Sequence, residues 1–143
     1  MSEPPGEHVV LAAWVARRND WSGGDHASWA IRAAGDLRLL GSASVFRIDR
    51  DQGDAEIGYA VLPAERGAGA AAAAVRQAAA HAFGTLGLHR LQLFHAVENT
   101  ASCRIAAKAG FTLEGTLRQS YRYADGRHHD EHVHGLLSSD VPR

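Results

Sequence analysis

Arg66-Gly67-Ala68-Gly69-Ala70-Ala71 is the stretch whose residue types and spacing point most directly to chemistry. Glycine frees the backbone and alanine favours helix, so the stretch predicts a turn feeding a helix whose first residues lie against something bulky. The unpaired N–H groups and positive dipole end of such a helix make a site for an anion, above all a phosphate. A nucleoside-triphosphate P-loop is excluded because no Lys-Ser or Lys-Thr pair follows the glycines. Gly67, Gly69 and Ala72 fit the dinucleotide pattern G-x-G-x-x-[GA], but the following strand segment "LHRLQLF" offers no acid for a ribose. The nine histidines raise a second question, especially "HHDEHVH", His128 to His134. His132 and His134 share one face of an expected strand, yet two ligands do not close a site, and no required metal is predicted. Cys103 has no motif that supplies an activating base and reads as a small helix residue.

The elements around this turn follow from periodicity. A helix is expected within His8–Arg18, from Val9, Val10, Ala13 and Val15 at loosely helical spacing. Three strands follow, Ser28–Ala34, Leu37–Ile48 and Ala55–Leu62, the first two joined through Gly35-Asp36 and the third stopped by Pro63. Val75, Ala79, Ala82, Phe83 and Leu86 predict an amphipathic helix from about Ala70 to Leu86, ended by Gly87. His89–Ala96 alternates as a strand does. A short helix capped by Asn99 or Thr100 and stopped by Gly110 comes next, then two strands around Ala124-Asp125-Gly126. The expected class is α/β, with one domain over residues 1–143.

Arg66–Ala71 also fits [QR]-x-x-G-x-[GA], with a strand before it and a helix after it. Here the chain resembles the GNAT superfamily of acyl-CoA-dependent N-acetyltransferases, whose turn of this type wraps the coenzyme A pyrophosphate. "AEIGYAVLPAERGAGAA", "LGLHRLQLFHAVENTAS" and "KAGFTLEGTLRQSYRYADGRHHD" extend the resemblance, in order, to the RimJ/RimL-type branch. It implies a mixed, mostly antiparallel central sheet flanked by helices, without room for the usual first strand and helix. It implies direct acetyl transfer from acetyl-CoA to a primary amine, on a protein N-terminus or a small molecule. It further implies that Arg66, Gly67, Ala68, Gly69, Ala70 and Ala71 hold the pyrophosphate, that Asn99 contacts the coenzyme and that Arg104, with Lys108, reaches its 3′-phosphate. Backbone N–H groups at Val61 and Leu62 are the implied oxyanion and pantetheine partners. Glu56 is the implied base through water, and Ser102 the implied donor to the departing sulfur. Ala106 stands where many members carry a tyrosine acid. Tyr121, Tyr123 and Asp130 are expected along the acceptor site, and Trp14, Trp21 and Trp29 in packing. The competing expectation is a coenzyme-binding sensor or assembly module without catalysis.

Composition bounds the remaining possibilities. In 143 residues, 45% are hydrophobic and 22% charged, values of a globular chain that can bury a core. A net charge of -1 gives no general attraction to nucleic acid, and no apolar run is long enough for a membrane span. The acidic, proline-containing start "MSEPPGEHVV" lacks the pattern of a secretory signal, so a cytoplasmic address is expected. One cysteine excludes an internal disulfide. A homodimer is expected, because a shortened N-terminal region leaves sheet edge and apolar surface to cover.

Overall fold

The computed structural model describes residues 9–13, 26–62 and 69–141. The strands are β1 (Val9–Ala13), β2 (His26–Ala33), β3 (Leu39–Asp49), β4 (Asp54–Val61), β5 (Arg90–Ala96), β6 (Thr112–Arg122) and β7 (His128–Leu137). Helix α1 (Ala70–Gly84) joins β4 to β5, α2 (Thr100–Lys108) joins β5 to β6, and a 3-10 turn occupies Ser138–Asp140. They form one seven-stranded sheet in the order β1-β2-β3-β4-β5-β7-β6. All neighbours are antiparallel except β4 and β5. The mixed, mostly antiparallel class is as expected.

Its N-terminal edge is a correction. Val9–Ala13 is a strand paired to β2 from Val9↔Ala33 to Ala13↔Trp29, not part of a helix. A short first strand is therefore present. "VVLAA" is a continuous apolar run, which fits a strand as well as it fits a helix, and pairing with β2 decides the matter. The rest of the expected helix, with Trp14 and Trp21, lies outside the described residues. The β2–β3 turn also differs in detail. Its left-handed residue is Leu37 (φ 58), not Gly35, and Arg32 holds the turn by donating from Nη1 to the Leu37 carbonyl at 3.0 Å.

The core lies between the sheet and its helices. Trp29, Ile31, Val45, Ile57, Leu91 and Leu93 meet Val75, Ala78, Ala79 and Ala82 of α1. Ala74 and Ala78 are fully buried, so α1 rides close on the sheet, and larger side chains there would overpack by about 1–3 kcal/mol. Close approach explains why the helix is built from alanine. Gly53 (φ 75) sets the start of the parallel junction: its carbonyl accepts from the N–H of both His89 (2.7 Å) and Arg90 (3.1 Å). Left-handed glycines follow both helices, Gly87 (φ 69) two residues past the α1 C-cap Thr85 and Gly110 (φ 94) directly after the α2 C-cap Ala109, and a side chain at either would be strained.

Candidate active site

The parallel junction is short. β4 and β5 register at Asp54↔Arg90, Ala55↔Leu91 and Glu56↔Gln92, after which β4 continues along β3 and β5 along β7. A cleft of about 740 Å³ occupies the divergence. Ile57–Val61 forms one wall, Leu93–Ala96 the other, with Gly69–Ala72 and the inward side of α2 closing the ends. Strand backbone that has left its ladder offers N–H and C=O groups to an extended ligand.

At one end stands the first turn of α1. Gly69 is its N-cap, in the left-handed conformation (φ 80), and its carbonyl accepts the Ala73 N–H at 3.2 Å. The N–H groups of Ala70, Ala71 and Ala72 precede the first intrahelical bond, and all three residues line the cleft. Gly69, Ala70 and Ala71 thus stand where the sequence put them, at a helix start facing a cavity. Arg66, Gly67 and Ala68 lie outside the described residues. Arg104 and Lys108 are exposed on α2 and border the same cleft.

Helix α2 carries the other side. Asn99 caps it by accepting the Ser102 N–H on Oδ1 at 3.0 Å, and both residues line the cleft. Ser102 is 9% exposed, and its Oγ lies 2.6 Å from the hydroxyl of Tyr59 on β4. Burial raises the Tyr59 pKa above the ordinary phenol value, against a smaller lowering from the Ser102 hydrogen bond, so the phenol keeps its proton near neutrality. Ala106 is fully buried in α2. Tyr59 is a site residue that no motif in the sequence marks, although its alternation with Ala55 and Ile57 places it on the helix-covered face.

Register divides the remaining residues between the two faces of the sheet. Pairing at Glu56↔Gln92, Gln92↔Gly135, Phe94↔Val133 and Ala96↔Glu131 puts Glu56 and Glu131 on the face away from α1 and α2. Glu56 is 19% exposed in its side chain and bound through Oε1 to Arg47 Nη1 at 2.8 Å, across a bulge in β3 where Arg47 has φ 51. It does not line the cleft. Glu131, which no motif in the sequence marks either, is 7% exposed and accepts hydroxyl hydrogen bonds from Tyr123 (2.7 Å) and Ser120 (2.9 Å). Burial first, then the Glu131 hydrogen bond and charge, raises the Tyr123 pKa far above the phenol range. Tyr123 borders the cleft, whereas Tyr121 is exposed against it at a ring distance of 5.2 Å. Asp130 has a local role instead: its Oδ1 accepts the N–H of Gln119, a bulge residue with φ 46.

Val61 lines the cleft, but Leu62 does not. The Leu62 N–H donates to the Leu40 carbonyl at 2.8 Å, which corrects the expectation that it faces an oxyanion. The chain stays on the β3 ladder one residue beyond β4. Trp29 is buried in the core, edge-on to His81, in keeping with a packing residue.

Comparison with known proteins agrees with this geometry. The family described as acetyltransferase (GNAT) domain matches residues 3–112. An uncharacterized N-acetyltransferase of Bacillus subtilis, YoaA, is 31% identical over 109 residues, covering 76% of this chain and 61% of that protein. The spermidine N(1)-acetyltransferase of Vibrio cholerae is 29% identical over 92 residues, covering 64% of this chain and 53% of that protein. The chain thus spans less than two thirds of the length of these relatives. Mycobacterium smegmatis RimJ in complex with CoA-disulfide superposes with a TM-score of 0.81 at 27% identity, over 88% of this chain and 59% of that one. With a family match across residues 3–112, the chain belongs to the acetyltransferase (GNAT) domain family.

Proposed function

We propose that this chain is a single-domain N-acetyltransferase of the RimJ/RimL-like branch that moves an acetyl group from acetyl-CoA to a primary amine. The observation that carries the reading is the divergence of β4 and β5 between the α1 N-terminus and the Ser102–Tyr59 pair. In this reading Arg66–Ala71 and the α1 N-terminus take the pyrophosphate, Arg104 takes the 3′-phosphate, and the pantetheine runs along Val61 toward the thioester. Asn99 holds the first turn of α2 so that Ser102 faces the sulfur. A coenzyme-bound neighbour of the same fold supports the placement.

The amine approaches from the face opposite α1 and α2, where Glu56 and Glu131 supply negative charge. Its nitrogen lone pair attacks the thioester carbonyl, the carbon–sulfur bond breaks, and the amine proton leaves through water toward Glu56. The sulfur departs as thiolate and takes the Ser102 hydroxyl proton, which Tyr59 replaces as solvent returns a proton to the phenol. A thiol pKa near 8.5 makes this an undemanding leaving group, so one hydroxyl suffices. Polyamines and protein N-termini are the acceptor classes to try first, since a relative is named for spermidine and acids line the approach. Self-association belongs to the same reading: Leu113, Leu117 and Tyr121 are exposed on the edge strand β6, and a homodimer that covers them gives twice the chain mass in light scattering.

The test follows release of free coenzyme A thiol from acetyl-CoA with spermidine, peptide N-termini and lysine offered in turn. Amine-dependent release is expected, slowed roughly tenfold in Ser102→Ala because thiolate departure needs only modest acid help. Saturable acetyl-CoA binding with no release to any amine would instead support the non-catalytic module.

A further inference from the structure

The helix-covered face of the β5–β7 pair holds a group of side chains that acetyl transfer does not use. Leu93 pairs with His134 and His95 with His132, so the three histidines stand together under α2, which brings down Cys103. Ligand atoms of His95, Cys103 and His134 all lie within 4.8 Å of one another. His132 and His134 share a strand face, but the fold groups His134 with two residues from other elements.

Three features prepare this cluster to bind an ion. First, His95 Nδ1 lies 2.7 Å from the Ala96 carbonyl, which fixes the proton on Nδ1 and turns the Nε2 lone pair inward. A carbonyl behind the ring is the support that metal-binding histidines ordinarily have. Second, Nε2 of His95 and Nε2 of His134 face each other at 2.9 Å with their rings stacked, so one shared proton serves two lone pairs. Third, His134 is 2% exposed and its Nδ1 has no hydrogen-bond partner. That nitrogen is free to take up the shared proton when an ion takes both Nε2 atoms as ligands, so the two rings remain neutral imidazoles.

We propose that His95, Cys103 and His134 form a His2Cys site for a borderline-soft divalent ion of the zinc type. Two imidazoles and a thiolate suit such an ion, and tetrahedral bond lengths of about 2.0–2.3 Å place ligand atoms some 3–4 Å apart, within reach of small side-chain rotations. Water completes the fourth position from the cleft, which His95 borders. Binding converts the Cys103 thiol to thiolate, so one proton leaves to solvent for each ion bound, with no change of oxidation state. His132 stays outside the ligand set, its Nδ1 3.1 Å from the Thr116 hydroxyl. The ion ties β5, β7 and α2 together one residue from Ser102. The site stands independently of whether the chain transfers acetyl groups.

The experiment titrates the reduced, metal-free full chain with Co2+ as a spectroscopic probe, then with Zn2+ in competition. The expected result is a thiolate-to-cobalt charge-transfer absorption that saturates at one ion per chain and is displaced by zinc. Cys103→Ser should abolish the band and weaken zinc binding, and His134→Gln should weaken it at least about tenfold. Thermal stability should rise with zinc in the wild type and not in Cys103→Ser. Folded, reduced wild type that shows no thiolate band in excess cobalt would overturn the proposal. So would zinc affinity unchanged in Cys103→Ser, where binding would belong to surface histidines. If His134→Gln fails to fold, the near-isosteric Cys103→Ser decides alone.

Discussion

β5 has two edges that behave differently. Toward β7 it pairs at every residue from Arg90 to Ala96; toward β4 it pairs only at Arg90, Leu91 and Gln92. The closed edge satisfies its backbone within the sheet and fixes which residues share a face. The half-open edge leaves strand backbone and two helix termini around a cavity of about 740 Å³. A ligand crevice at the carboxyl ends of diverging parallel strands is the usual consequence of such an arrangement. One strand therefore serves as scaffold on one side and as wall of the site on the other.

Mutations should separate the two edges. Leu91 is fully buried in the paired part, and Leu91→Ala should cost about 2–5 kcal/mol in denaturant unfolding while leaving coenzyme affinity in the folded fraction unchanged. Loss of affinity with intact stability would reverse the assignment. Tyr59→Phe acts at the open edge. Removing the partner of Ser102 should lower stability by only about 1 kcal/mol and slow thiol release, with little change in acetyl-CoA affinity. Equal slowing of a control variant far from the cleft would show that the pair has no part in transfer.

The smallest effect is expected on the β6–β7 hairpin. The His129 pKa is raised, first by its hydrogen bond to Asp125 and then by Glu98. A raised folded-state value means that the contribution is fully present below the ordinary imidazole value near 6.5 and is lost as pH rises through the raised value. His129→Gln should therefore lower stability at about pH 5.5 and have little effect at about pH 9. A deficit that grows with pH would contradict the pairing.

Most of this framework is legible in the sequence because local signals agree. Glycines at 87, 110 and 126 mark real left-handed stops, alternation marks β5, and Asn99 caps α2. The exceptions share a cause. "VVLAA" satisfies two periodicities, and only its pairing with β2 makes it a strand. Tyr59 and Ser102 are 43 residues apart, and nothing local announces their contact. His95, Cys103 and His134 meet because β7 inserts between β5 and β6, an order that strand patterns do not specify. The Leu62 N–H is spent on Leu40 because the β3–β4 ladder runs one residue past the strand. The sequence does not name Arg47 as the partner of Glu56, because the bulge in β3 is what brings that guanidinium to the carboxylate.

The central claim is that the open edge of β5 holds acetyl-CoA with its pyrophosphate on the α1 N-terminus. Calorimetric titration of the wild type and of Gly69→Glu with acetyl-CoA tests it directly. Gly69 has φ 80, so glutamate there adds backbone strain as well as bulk and negative charge at the anion site. The account predicts one-to-one binding in the wild type, weakened on the order of a hundredfold or more in the variant, equivalent to roughly 3 kcal/mol. Folded wild type that binds no acetyl-CoA, or a Gly69→Glu protein that binds it equally well, would contradict it.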